Sequence, residues 1–248
     1  MKIIFYLLVI ISFLGVFNFQ ATTAHAQGNG KTPVLVELFT SENCVRCPAA
    51  ERALAMLEKE QPFAQAEIIA LYLHVDYLNS PGWSDEFSSP LFSQRQNIYG
   101  RRFYMDALYT PHMSVDGTMH FAGGNLEKAQ KAISESAKKT KAKIELSRTE
   151  DKLKIKISDL PEHENASVFL AVTETDITSK VSRNGELLRH PAVARELKPI
   201  AGISAAENKF EIESFLQIPA NWKKENLKFV VFVQENQSRK ILALGSSK

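Results

Sequence analysis

Two long apolar runs dominate the first part of the chain. Residues 31–39 form an almost continuous apolar segment that predicts a buried strand, and residues 67–75, rich in Ile and Leu, predict a second one. Between the two runs, Ala50 and Leu54 recur at helical spacing, and Pro48 stands where the first turn of a helix tolerates proline. The pattern therefore predicts the order strand, helix, strand.

The middle of the chain predicts a helical insertion, then a β-hairpin and a helix. Residues at about 81–104 mix Ser, Pro and aromatic side chains, and we expect a helical insertion there. Asp116 and Gly117 then lie between two short strand-like runs, which is a strong hairpin signal. Asn125 is a good helix N-cap, and an apolar stripe that includes Ile133 predicts the helix that follows it.

Beyond a charged stretch at residues 138–141, short strand-like runs separated by turn residues prevail. Many short strands with few helices between them indicate an antiparallel sandwich. Residues 191–197 are the exception and predict a short helix. The expected domains are therefore residues 27–140 and an all-β sandwich-like domain at residues 141–248. The predicted strands of the second domain are 144–147, 153–157, 168–173, 210–214, 227–233 and 241–244.

The first 26 residues have the pattern of a secretory signal peptide. Lys2 precedes an apolar run at residues 3–17, and Ala24 and Ala26 offer the small side chains that signal peptidase requires, with cleavage expected before Gln27. An uncleaved anchor is the alternative, but the run has about 15 residues where a membrane-spanning helix needs about 20. We expect a periplasmic or secreted protein with no membrane anchor after cleavage.

Composition narrows the classes of partner. Charged residues make up 23% and hydrophobic residues 44% of the chain, as in soluble globular proteins. The 30 Lys and Arg residues nearly balance the 28 Asp and Glu residues, which leaves a net charge of +2. So weak a field gives no reason to expect nucleic acid as a partner.

The chain has two cysteines, Cys44 and Cys47, in a Cys-Val-Arg-Cys sequence. A disulfide between them closes a loop that restrains the unfolded chain by about 2 kcal/mol, against about 4.7 kcal/mol for a 100-residue loop. The pair is therefore a weak structural crosslink. In an exported protein, where disulfides form readily, this spacing favours a reactive dithiol.

Several segments of the chain resemble one family, the exported thioredoxin-like proteins catalogued as domain of unknown function 1223. This resemblance implies a fold class: an α/β thioredoxin-like domain with a helical insertion, followed by the sandwich-like domain. The matching segments are Val-Glu-Leu-Phe-Thr-Ser at 36–41, Cys-Val-Arg-Cys-Pro-Ala-Ala at 44–50, His-Val-Asp-Tyr at 74–77, Gly-Trp at 82–83, Tyr-Thr-Pro at 109–111, Val-Asp-Gly at 115–117 and Leu-Leu-Arg-His at 187–190.

The dithiol itself suggests a division of roles. A cysteine at a helix N-terminus lies near the positive end of the helix dipole, which stabilises its thiolate. We expect Cys44 to be the exposed nucleophile and Cys47, further into the helix, to be the resolving thiol. Arg46 places a positive charge between them and would stabilise the thiolate further, although it is equally consistent with a solvated surface charge.

Three further residues are candidates for the site. The resemblance implies a cis peptide bond before Pro111, beside the dithiol, so that Thr110 and Pro111 contact an extended substrate peptide. It also implies that Glu37 lies in the strand leading to the dithiol, where a buried carboxyl group would take the proton of Cys47. The alternatives are an ordinary trans proline and a solvent-facing glutamate.

Three functions remain open. The first is a thiol–disulfide oxidoreductase that needs no cofactor and acts on the thiols or disulfides of exported proteins. The second is a copper- or zinc-handling module in which Cys44, Cys47 and His112 bind the metal. The third is a non-catalytic binding protein. We expect His74 and His190 to be ordinary core or surface histidines.

Overall fold

The computed structural model describes residues 22–25, 30–179 and 187–247. Within these ranges the chain forms twelve strands, three α-helices and a short 3-10 turn at Lys224–Asn226. The elements are β1 (Thr22–His25), β2 (Thr32–Thr40), α1 (Cys47–Glu60), β3 (Ala66–His74), α2 (Pro90–Arg102), β4 (His112–Val115), β5 (Met119–Ala122), α3 (Leu126–Ser136), β6 (Lys143–Arg148), β7 (Lys152–Ser158), β8 (Ala166–Thr178), β9 (Arg189–Ile203), β10 (Phe210–Phe215), β11 (Leu227–Glu235) and β12 (Ile241–Ser247).

The first sheet has the strand order β3-β2-β4-β5. β2 and β3 are parallel, and their continuous burial explains why both read as uninterrupted apolar runs. The hairpin β4–β5 adds two antiparallel strands on the other side of β2. One face of this sheet packs against α1 and α3, with Val36 and Leu38 in contact with the core that contains Leu54 and Ile133.

Two further sheets lie beyond the opposite face of the first sheet. The middle sheet has the order β12-β11-β8-β9, and the outer sheet has the order β1-β6-β7-β10. Alternate residues of β11 point to different cores: Phe229 and Val231 pack toward the outer sheet, whereas Val230 and Phe232 pack toward the first sheet. The middle sheet is therefore buried on both faces.

The predicted fold class, an α/β thioredoxin-like domain with a helical insertion followed by an all-β sandwich-like domain, is wrong. The described residues form a mostly β structure of three four-stranded sheets with only three α-helices. The second face of the first sheet is covered by the middle sheet, with Phe39 and Leu71 in the same core as Val230 and Phe232. Local periodicity predicts the strands but not which layer covers a given face.

The structure contradicts one predicted local element and contains a helix where another was expected. The short helix predicted at residues 191–197 is wrong, because these residues belong to the long strand β9, which pairs with β8 along its length. The segment expected to be helical at 81–104 does contain α2, which begins after the N-cap Ser89 and buries Phe92 and Tyr99 in the core between the sheets.

The predicted signal peptide lies almost wholly outside the described residues. Its exception is β1, which pairs with β6 at the edge of the outer sheet, and cleavage before Gln27 would remove this strand. Cleavage and the domain boundary near residue 140 stay predictions. Among the described helices, none combines the length and the apolar character needed to cross a membrane.

Candidate functional site

The two cysteines lie in the turn that joins β2 to α1. The backbone N–H of Cys44 donates to the carbonyl of Ser41 at 3.1 Å, which closes the turn directly after the strand. Asn43 donates through Nδ2 to the carbonyl of Leu78 at 2.8 Å and so ties the turn to the segment that follows β3. The helix begins at Cys47, and Cys44 lies one turn before it.

Cys44 and Cys47 form a disulfide, with their Cα atoms 5.3 Å apart. The two residues differ in their access to solvent. Cys44 keeps 9% of its surface exposed and Cys47 keeps none, while Val45 between them is 98% exposed. Cys44, which was expected to be exposed, is therefore nearly buried, and the small access that the pair has to solvent lies on the Cys44 side.

The start of α1 has an electrostatic character that suits a thiolate. Arg46 occupies the N-cap position without a capping hydrogen bond from its side chain, and no acidic residue lies in the first helical turn. The positive end of the helix dipole is therefore not neutralised within that turn. Arg46 itself is exposed, so solvent and salt screen its charge more than that of the dipole.

The peptide bond between Thr110 and Pro111 is cis, as the family resemblance implies. Pro111 immediately precedes β4, in which His112 is the register partner of Phe39 on β2. Pro111 thus lies level with Thr40 at the end of the sheet from which the dithiol turn departs. Thr110 is partly exposed at this end, whereas Pro111 is buried and its carbonyl accepts from the N–H of Gly123 at 2.8 Å.

Glu37 has a different environment from the one expected for a proton acceptor. It is fully buried on the face of β2 turned away from α1, where the guanidinium of Arg95 and the hydroxyl of Tyr99 both donate to its carboxylate. Burial alone would lower the pKa of Arg95, but the Glu37 charge raises it. Gln234 of β11 completes the network by accepting from Arg95 Nη1 at 3.1 Å. Glu37 is therefore engaged in a structural ion pair between the sheets.

His112 is a buried core residue. Its ring stacks on Phe39 with the centroids 5.4 Å apart and lies edge-on to Tyr109 and His120. Burial, with a smaller contribution from His120, lowers the pKa of His112 to about 3. Within the described ranges, the group of side chains close enough to share a metal does not include His112 or either cysteine.

A polar cluster lies along α1 next to the dithiol. Glu51 follows Cys47 by one helical turn and is almost fully buried, and its carboxylate accepts from the Thr40 hydroxyl. His190, at the start of β9, contacts Glu51 Oε2 through Nδ1 and Glu42 Oε1 through Nε2, both at 3.1 Å. Burial alone would lower the pKa of His190, but its two carboxylate partners raise it to about 9.

His74 extends this cluster from the end of β3. Its Nδ1 lies 2.8 Å from Asp85 Oδ2, and its ring centroid lies 5.0 Å from that of His190. The other nitrogen, Nε2, is buried and has no hydrogen-bond partner among the described residues. Burial favours a raised pKa for Asp85, but the hydrogen bond from His74 lowers it. The ligand atoms of Glu51, His74 and His190 all lie within 4.8 Å of one another.

Sequence reasoning missed this cluster and assigned His74 and His190 to ordinary positions. Part of the signal was present, because His74 ends a strand parallel to β2 and Glu51 is spaced one turn from Cys47. The position of His190 could not be predicted, because it lies 139 positions from Glu51. The residues that follow it in β9 were predicted to form a helix instead of a strand.

Comparisons with known proteins agree with the fold at low sequence identity. Protein AGR_C_4864 from Agrobacterium tumefaciens has a crystal structure 23% identical in sequence, with a TM-score of 0.67 over 86% of this chain and 92% of that one. HBP35 of Porphyromonas gingivalis is 17% identical, with a TM-score of 0.60 over 89% of this chain and 76% of that one. No curated protein matches the sequence. The family model described as protein of unknown function DUF1223 matches residues 35–234, and the chain therefore belongs to the DUF1223 family.

Proposed function

We propose that this protein is an exported thiol–disulfide oxidoreductase that acts on protein partners through Cys44 and Cys47. One observation carries the proposal: the pair is bonded at the start of a helix, and Cys44 keeps 9% of its surface exposed whereas Cys47 keeps none. This asymmetry gives one sulfur that can meet a partner and one that can only resolve the product.

The reaction needs no cofactor. A partner thiolate attacks Cys44 Sγ, so that a mixed disulfide forms and the bond to Cys47 breaks, which releases the Cys47 thiolate. A second thiolate of the partner then attacks the partner sulfur in the mixed disulfide and releases the Cys44 thiolate. The partner loses two electrons and forms a disulfide, and the Cys44–Cys47 pair gains them. The reverse sequence reduces a partner disulfide.

The partners would be exported proteins with free thiols or disulfides. The predicted signal peptide supports this location, because thiol–disulfide chemistry on proteins is concentrated in oxidising compartments. A partly exposed Thr110 and the adjoining Pro111, at the same end of the sheet as the dithiol, would position an extended peptide next to Cys44.

Glu37 is not part of the proposed mechanism. Its carboxylate is held by Arg95 and Tyr99 on the face of the sheet opposite α1, so it is not available to take a proton from Cys47.

The proposal is tested by exchange of disulfides with a defined partner. The oxidised protein is mixed with a dithiol peptide, and both are followed by alkylation of free thiols and mass spectrometry. We expect the peptide to become oxidised while the protein gains two thiols, with equal numbers of electrons lost and gained. The Cys44→Ala/Cys47→Ala double variant is the control and should leave the peptide unchanged.

If no disulfide exchange is observed, one of the two alternative functions is favoured. If the folded protein keeps its disulfide in excess dithiol peptide, the pair is a crosslink and the non-catalytic binding function is favoured. If the reduced protein instead binds copper or zinc through both cysteines, the metal-handling alternative is favoured, and loss of the metal in Cys47→Ser would identify it.

A further inference from the structure

We propose that Glu51, His74 and His190 form a binding site for a single zinc ion. The three residues come from three different elements, namely α1, the end of β3 and the start of β9. All three are buried, with 4%, 0% and 4% of their surfaces exposed, and their ligand atoms lie within 4.8 Å of one another.

Each histidine is oriented by a carboxylate on its outer nitrogen. Asp85 holds His74 through Nδ1 at 2.8 Å, and Glu42 holds His190 through Nε2 at 3.1 Å. These contacts leave His74 Nε2 and His190 Nδ1 as the inner nitrogens, and His190 Nδ1 already lies 3.1 Å from Glu51 Oε2. Histidines that bind metals characteristically donate their other N–H to a carboxylate in this way.

The unsatisfied nitrogen of His74 is an independent sign of a ligand. Its ring is 0% exposed, and Nε2 has no hydrogen-bond partner in the described part of the chain. A buried polar atom without a partner costs about 1–3 kcal/mol. A metal ion bound between His74 and Glu51 would accept the Nε2 lone pair and remove that cost.

The donor set and the local charge both favour zinc. Two imidazole nitrogens and one carboxylate oxygen are a ligand set that zinc adopts, with a fourth position for water, whereas magnesium and calcium prefer oxygen ligands. Ligands at zinc distances lie about 3.4 Å apart in a tetrahedron, so a pair 4.8 Å apart would close by about 1.4 Å on binding. The carboxylates of Glu42, Glu51 and Asp85 supply negative charge around the site, and zinc would replace the proton shared by His190 Nδ1 and Glu51 Oε2.

This site is independent of the proposed thiol–disulfide exchange, because neither cysteine is among its ligands. It also differs from the metal site expected from the sequence, which used Cys44, Cys47 and His112. The experiment can therefore succeed or fail regardless of whether the dithiol is active.

The test uses the full mature chain and zinc alone. The protein is stripped with a chelator, loaded with zinc and dialysed, and its zinc content and affinity are measured by elemental analysis and by competition with a chromophoric chelator. We expect one zinc per chain. Glu51→Gln and His74→Gln should each weaken binding by about 100-fold or more, and Asp85→Asn by about 10- to 100-fold.

Two controls separate a metal site from general damage. His112→Gln alters another buried histidine outside the cluster and should bind zinc as the wild type does. The double variant Cys44→Ala/Cys47→Ala should also retain zinc, and the cobalt-loaded wild type should show four-coordinate visible bands without a sulfur charge-transfer band.

Three results would overturn the proposal. They are a folded wild type that holds no zinc, unchanged affinity in a folded His74→Gln variant, and loss of zinc in the double cysteine variant. Circular dichroism establishes folding for each protein. If His74→Gln does not fold, unchanged affinity in Asp85→Asn overturns the proposal in its place.

Discussion

At the scale of single residues, Glu37 and Arg95 form a buried ion pair. Both side chains are buried, and the guanidinium forks onto the two carboxylate oxygens while Tyr99 donates to the same group. Arg95 also lies over the rings of Phe169 and Phe232, at 5.2 Å from each centroid. Such a pair is costly to break on one side, because the remaining charge stays buried.

We predict that Arg95→Met lowers the free energy of unfolding by about 3–5 kcal/mol, because it leaves the Glu37 carboxylate buried without its cation. Chemical denaturation measures the effect. The control is Lys143→Met, which removes a solvent-exposed partner of Asp159 and should cost about 1 kcal/mol at most. A loss equally small in Arg95→Met would contradict the buried ion pair, and adding Glu37→Gln to Arg95→Met should recover part of the loss.

We also predict, from the lowered pKa of His112, that the protein loses stability as the pH falls. The unfolded residue binds a proton near pH 6.5, whereas burial keeps the folded residue neutral down to its pKa of about 3. Its contribution to stability is therefore complete above pH 6.5 and falls by about 1.4 kcal/mol per pH unit below it.

The measurement compares urea denaturation of the wild type and His112→Gln between pH 7 and pH 4. His120 and the other titrating groups are common to both proteins, so the difference isolates His112. We expect the wild type to lose more stability than the variant as the pH falls. Parallel pH profiles would show that His112 is accessible to protons in the folded state.

At this scale, the sequence was informative where a residue acts through its neighbours in the chain. The Cys44–Cys47 pair was anticipated from its spacing, and the cis bond before Pro111 was anticipated from the family resemblance. The partners of Glu37 were not, because Arg95 lies 58 positions away on another element. An ion pair between residues so far apart in the chain produces no periodic pattern in the sequence that could predict it.

Among the elements, the β4–β5 hairpin illustrates how a turn can also hold the molecule together. Asp116 and Gly117 both have positive φ, 49° and 67°, as the Asp-Gly signal predicts, and with Thr118 they form a three-residue loop between the paired Val115 and Met119. The Asp116 carboxylate accepts from Lys141 Nζ and from the backbone N–H of Leu35, all buried or nearly so. The turn therefore fastens the hairpin to β2 and to the segment that leads into β6.

We predict that Gly117→Ala destabilises the protein by about 2–3 kcal/mol. A Cβ atom at this position would lie 1.9 Å from the carbonyl oxygen of Arg239, and the positive φ adds strain. Gly124→Ala is the matched control, because its Cβ would meet no atom within 4 Å, and it should change stability by about 0.5 kcal/mol at most. Equal thermal unfolding midpoints for the two variants would contradict the close contact.

The sequence pattern predicted the strands of the first sheet and the helices that pack on it, but it predicted a helix within strand β9. Residues 191–197 pair with β8 across one β-bulge at Arg195, where the register shifts and interrupts the regular alternation of a strand; a second shift follows at Ile200. A pattern broken in its middle can resemble a helical one over seven residues. Only the pairing with β8, which joins distant parts of the chain, identifies the segment as a strand.

At the scale of the whole molecule, the three sheets are joined through shared cores. The core between the first and middle sheets unites Leu71 of β3 with Val230 and Phe232 of β11, and the core between the middle and outer sheets unites Phe229 with Ile155. The fold class was mispredicted at this scale, because the packing of one sheet on another depends on contacts between residues far apart in sequence.

Shared cores predict cooperative unfolding. Leu71→Ala, in the first sheet, should cost about 2–5 kcal/mol and should lower the unfolding midpoint of the outer core as well. Trp222, packed against that outer core, reports on it by fluorescence in a Trp83→Phe background, and far-ultraviolet circular dichroism reports on the whole chain. A Trp222 midpoint unaffected by Leu71→Ala would indicate two independently folding domains.

Capture of a mixed disulfide tests the proposed chemistry most directly. Reduced Cys47→Ala is mixed with insulin as a disulfide-bearing partner, and covalent adducts are counted by mass spectrometry before and after reductant. We predict adducts through Cys44 that reductant releases, formed about tenfold or more faster than the adducts of Cys44→Ala, whose remaining sulfur is buried. Equal rates for the two folded variants, or no adduct with either, would contradict a nucleophilic role for Cys44.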